Sequence, residues 1–140
     1  MLQRIQTIWL LLAATCGFLS LKFPFFSGSR PNDLQQPAVI SYLNATTYIP
    51  VMILTIIVFI GCLIIIFLYK NRKLQLRLTI TALFLSLLTV VLCFLEAKKF
   101  VAGTYSLSAL LFAGIPVFLV LAARGMYKDE KLVRSLDRLR

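Results

Sequence analysis

Side chains able to do chemistry are sparse in this chain. Three cysteines and five acidic residues are present, and there is no histidine. Cys16, Cys62 and Cys93 all fall inside apolar runs, and an odd count without CxxC spacing argues against a disulfide framework or thiol exchange. They read as small packing residues. The lack of histidine removes the commonest transition-metal and haem ligand and the usual general base near neutral pH. No carboxylate pair lies within the apolar runs, and no serine or threonine has an identifiable base partner. No catalytic, cofactor-binding or metal-binding residue is therefore expected, and the chain does not read as an enzyme.

The most regular pattern is Thr79, Ala82, Ser86, Thr89 and Cys93, whose spacings of three and four place them on one stripe of a helix. Such a stripe can line a polar path or substrate groove. It can equally be a packing seam, where small residues bring helices together and hydroxyls bond nearby carbonyls at ~0.6 kcal/mol each. Comparable small stripes, Ala13, Gly17 and Ser20, and Ser106, Ala109 and Ala113, favour the seam. A coupled transporter usually needs a charge near mid-span. Every charged residue here lies at or beyond an expected helix end. Glu96 comes nearest, and its spacing predicts a solvated i,i+3 pair with Lys99.

The elements carrying these residues follow from composition. A chain of 140 residues that is 60% hydrophobic and 14% charged, with mean hydropathy +0.91, has the profile of an integral membrane protein. At about 20 apolar residues per crossing, it accommodates a single all-α, four-helix membrane domain over 1–140. Spans are expected near 5–23, 48–69, 78–95 and 103–123. Ala13-Ala14-Thr15-Cys16 resembles a cleavage box, yet threonine precedes the cysteine and the apolar run continues to Leu21, so a first span is the better reading. The loop 24–47 contains Pro24, Gly28, Pro31 and Pro37 and must turn. Within it, 38–43 alternates enough for a short strand or an interfacial turn. Asn44-Ala45-Thr46 matches a glycosylation acceptor, a motif common by chance. Pro50 suits a helix start, and Pro116 is expected to bend the fourth span.

Orientation follows from the basic residues. Arg4, the hinge residues Lys70, Arg72, Lys73 and Arg77, and Arg124, Lys128, Lys131, Arg134, Arg138 and Arg140 total eleven on one side of the spans. Lys22, Arg30, Lys98 and Lys99 make four on the other. Both termini are thus expected in the cytoplasm. The same flanking placement accounts for the net charge of +10 without nucleic acid. The tail 124–140 reads as an amphipathic cytoplasmic helix, with Leu132, Val133, Leu136 and Leu139 on one face. It could rest in anionic headgroups. Its acidic residues Asp129, Glu130 and Asp137 suit a docking helix for a partner subunit instead.

Both ends of the chain carry a resemblance. Met1-Leu2-Gln3-Arg4-Ile5-Gln6-Thr7 followed by Leu10-Leu11-Leu12-Ala13, and the closing run from Lys128-Asp129-Glu130-Lys131 to Arg140, resemble the signature ends of a family of uncharacterised four-helix inner-membrane proteins of Bacteroidota, a domain of unknown function with no assigned activity. The likeness covers the whole length, with Trp9 standing where that pattern has another aromatic. It implies an inner-membrane location and draws attention to Gln3, Arg4, Gln6, Asp129, Glu130, Arg134, Ser135, Asp137 and Arg138 as a shared docking surface. The expected role is a small accessory or scaffold subunit of a larger inner-membrane complex, in contact with membrane lipids and that complex and with no nucleic acid or cofactor. The alternative is a homo-oligomeric transporter or lipid-handling protein with a pathway along the third helix.

Overall fold

The computed structural model describes residues 2–29, 40–68, 71–100 and 102–137. Four long helices run alternately up and down: α1 (Leu2–Lys22), α2 (Ile49–Phe67), α3 (Arg72–Ala97) and α4 (Ala109–Asp137). Each contains a stretch long and apolar enough to cross a membrane. Pro50 lies in the first turn of α2, where its missing N–H is one that the helix could not have used. The basic hinge is shorter than its composition indicates, because Arg72 to Arg77 already belong to α3. Gln75 reaches back across it, donating from Nε2 to the carbonyl of Ile65 at 3.1 Å near the end of α2. That carbonyl is in the last turn of α2, where it also accepts a longer bond from the Leu68 N–H at 3.3 Å.

The buried positions show why the helices pack as they do. They are Gln6, Leu10, Ala13, Gly17 and Ser20 on α1, and Val51, Thr55, Val58, Cys62 and Ile65 on α2. On α3 they are Gln75, Thr79, Ala82, Ser86, Thr89, Cys93 and Glu96, and on α4 Phe112, Ile115, Leu119, Ala122, Met126 and Asp129. Apart from Ala14 and Ala97, which are also buried, steps of three and four alternate, a heptad spacing that keeps one seam of each helix turned to its neighbours. The helices stand in cyclic order, α1 between α4 and α2, and α3 between α2 and α4. Polarity is inverted relative to a bundle in water. Gln6, Ser20, Thr55, Gln75, Thr79, Ser86 and Thr89 lie inside, while Ile53, Ile57, Ile60 and Ile64 of α2 and Phe84, Leu88 and Val91 of α3 point outward.

One end of the bundle is closed by a small sheet that an all-α expectation omits. Strands β1 (Phe26–Ser29), β2 (Ile40–Leu43) and β3 (Ala102–Tyr105) form an antiparallel sheet in the order β2-β1-β3. The alternation at 38–43 thus resolves as a strand from Ile40. A 3-10 turn over Ala45–Thr47 then leads into α2. β3 also displaces the expected start of the fourth span from 103 to Ala109. The reason lies in Gly103, paired with Gly28, since a Cβ there would sit 2.5 Å from Cζ of Phe26 and 2.6 Å from the Ser27 carbonyl oxygen. The Phe26 ring packs edge-on against Tyr105 and Phe100, with centroids at 5.1 and 5.3 Å, and Phe25 against Phe112 at 5.0 Å. The Ser108 hydroxyl donates to the Pro24 carbonyl, tying the start of α4 to the end of α1.

Beyond that start α4 differs again from expectation. It runs unbroken from Ala109 through Pro116 to Asp137, so the fourth span and the tail are one helix. Its buried stripe is the one through Phe112 and Ile115, whereas Ala113 is exposed and Ser106 precedes the helix. One residue shifts a side chain by about 100° around the axis, enough to exchange the small face for the aromatic one.

Candidate functional site

Two groups of residues could carry function, the α3 seam and the polar pair at the end where α1 begins. On the seam, Thr79, Ala82, Ser86, Thr89 and Cys93 are all buried. Their hydroxyls donate within the helix: Thr79 to the Gln75 carbonyl at 2.9 Å, Ser86 to Leu83 at 2.8 Å and Thr89 to Leu85 at 2.9 Å. Thr55 does the same on α2, donating to Val51 at 2.7 Å. These back-bonds satisfy the donors without a ligand. Between Thr55, Ser86, Thr89, Phe112 and Ile115 there remains a void of about 10 Å³. That is at the lower limit for one water molecule. The stripe faces α2 and α4 of its own chain, so another copy could meet it only if the bundle opened.

At the far end from the sheet, Gln6 Nε2 donates to Asp129 Oδ2 at 2.5 Å. Gln6 is 5% exposed and Asp129 8%, so both are consumed between α1 and α4 instead of being presented outward. Gly125, one turn before Asp129, makes room for this pair: a Cβ there would stand 2.9 Å from Gln6 Cγ. Glycine is a poor helix former, and its place within α4 is the sequence signal for that close approach. Trp9 stacks on Phe118 one turn further in, with ring centroids 5.9 Å apart. Glu130, beside the pair, is half-buried. Arg138 and the side chains of Gln3, Arg4, Arg134, Ser135 and Asp137 lie outside the described residues.

The structure also corrects the environment of Glu96. Its Oε1 accepts from Lys99 Nζ at 2.6 Å, the expected i,i+3 pair, but its side chain is only 6% exposed. Cys93, Ala97 and Phe100 around it pack into the aromatic cluster of Phe25 and Phe26, which shields the carboxylate from solvent. The Lys99 ammonium remains exposed and lies 5.6 Å from the centroid of the Tyr48 ring.

One family model, described as "Domain of unknown function (DUF4293)", matches residues 2–139. The chain belongs to this family. The matched range takes in Gln6, Gly125 and Asp129, and hence the Gln6–Asp129 contact between α1 and α4 of this DUF4293 member. No curated protein and no solved structure matches the chain.

Proposed function

We propose that this chain is a multi-pass protein of a Bacteroidota inner membrane, with both termini in the cytoplasm. It acts there as a small accessory or scaffold subunit of a larger membrane complex. The observation carrying this reading is the inverted polarity of the bundle. Gln6, Ser20, Thr55, Gln75, Thr79, Ser86 and Thr89 find hydrogen-bond partners on the inside, and its outer face is a belt of large apolar residues suited to lipid and to neighbouring spans. Orientation is supported by the exposed Arg72, Lys73, Arg77, Arg124, Lys128 and Lys131 at the end where α1 begins, against Lys22, Lys98 and Lys99 at the sheet end. The docking surface is the outer part of that first end, Glu130 with the terminal residues beyond it. Gln6 and Asp129 act by holding α1 to α4 beneath it.

Extraction in mild detergent followed by cross-linking and mass spectrometry tests the proposal. The expected result is recovery with a larger integral membrane partner, lost when Arg134, Asp137 and Arg138 are changed to alanine together. Recovery solely as a monomer or homo-oligomer overturns it.

A further inference from the structure

We propose that the outer groove between α2 and α3 binds one anionic phospholipid. An acyl chain lies in the groove, and Arg77 with Lys73 holds the phosphate. The inference rests on the membrane reading above and deepens it by naming a lipid class and a site.

The groove has a volume of about 190 Å³ and is lined by Ile57, Gly61 and Ile64 from α2 and Leu78, Thr81 and Leu85 from α3, among others. Gly61 creates much of it. A Cβ at Gly61 would have no atom within 4 Å, whereas one at Gly17 would meet Phe59 at 3.6 Å and one at Gly125 would meet Gln6 at 2.9 Å. Close helix packing therefore accounts for Gly125, and a Cβ at Gly17 would make an ordinary contact, but at Gly61 the missing side chain leaves open space on the apolar exterior.

Above the groove the character of α3 changes from apolar to basic. Arg77 stands one turn before Thr81, and Lys73 one turn before Arg77; both are exposed. The first turn of α3 has no acidic residue and no side-chain cap from Asn71, so the positive end of the helix dipole adds to the charge at the same end. An apolar slot leading to two cations at a membrane surface matches the two halves of an anionic phospholipid.

The charges carry the selectivity. An acyl chain is as well solvated in bulk lipid as in an apolar groove, so the groove alone discriminates little. A cation near the headgroup plane favours an anionic lipid over a zwitterionic one by about fivefold. A partner helix in the same place would need an acidic group at the matching depth.

The full-length chain, purified from its membrane fraction and placed in nanodiscs of equal phosphatidylglycerol and phosphatidylcholine, provides the test. Native mass spectrometry after release should show one retained phosphatidylglycerol in excess of phosphatidylcholine. Arg77→Gln and Lys73→Gln should each cut that preference about fivefold. Lys98→Gln, exposed at the sheet end of the bundle, should leave it unchanged. Gly61→Leu should lower retention of both lipids without lowering the unfolding temperature. Equal retention of the two lipids, or retention unaltered by Gly61→Leu and Arg77→Gln alike, overturns the site. A dimer that Gly61→Leu dissolves also overturns it and assigns the groove to a second copy. Failure to recover the chain in the membrane fraction overturns the membrane reading, and this site with it.

Discussion

The Gln6 and Asp129 side chains show how residue type can suggest a place and still leave its use open. Polar groups near both chain ends stand out in the sequence as material for an outward surface. Two of them instead pair with each other across 123 positions. The clue was partly legible, because stepping back by heptads from Ser20, Gly17 and Ala13 reaches Leu10 and then Gln6. What the residue types could not reveal is the partner, since Asp129 is set opposite only when α4 continues as helix into the tail. Asp129→Ala is expected to lower stability by ~1–3 kcal/mol, because the buried Gln6 amide is left without its acceptor. Thermal unfolding in detergent measures that loss. Two glycine substitutions should have opposite signs in the same assay. Gly125→Ala forces Gln6 aside and destabilises, while Gly61→Ala adds a helix-favouring methyl in open space and stabilises by ~0.5–1 kcal/mol.

Elements were unevenly legible, for a reason rooted in length. Each span announces itself by a long apolar run, and the α3 stripe by its regular small residues. The strand at Ala102–Tyr105 does neither. It is four residues long, abuts an apolar helix, and has no periodicity that separates it from the first turn of one. Its pairing depends on Gly103 lying over Phe26, a contact between segments far apart in the chain. Gly103→Val should therefore detach β3 from β1. Hydrogen exchange at Phe26–Ser29 would detect it as faster exchange at amides that β3 now protects, with α2 unaffected. Within the bundle, Ser86 borders a void too small for added methyl groups. Ser86→Leu is expected to cost ~1–3 kcal/mol by overpacking, and Phe84→Leu, on the outer face, to be nearly neutral. Cysteine labelling at Thr79, Ser86 and Thr89 should be no faster than at Ile57 and Leu63 on the outer apolar face; faster labelling would favour a pathway along α3.

For the molecule as a whole, hydropathy made the number of helices legible but left their mutual order unstated. The cyclic arrangement arises because the heptad seams of neighbouring helices meet and because the sheet draws the α1–α2 and α3–α4 connections together. The proposed orientation can be tested with Tyr42→Cys, exposed at the sheet end, and Lys128→Cys at the other. A membrane-impermeant maleimide applied to spheroplasts should label the first directly and the second only after permeabilisation. The α1–α4 contact has a further consequence, for biosynthesis. Helix α1 leaves the ribosome well before α4, with which it makes its most extensive contact, and the middle strand of the sheet awaits a neighbour encoded after the third crossing. Every nascent chain thus passes through a stage with an open flank, and a product stopped short of Ala109 never leaves it. In a pulse-chase experiment such a truncated product should disappear well before a chain that carries α4, because its α1 keeps the flank that α4 would cover.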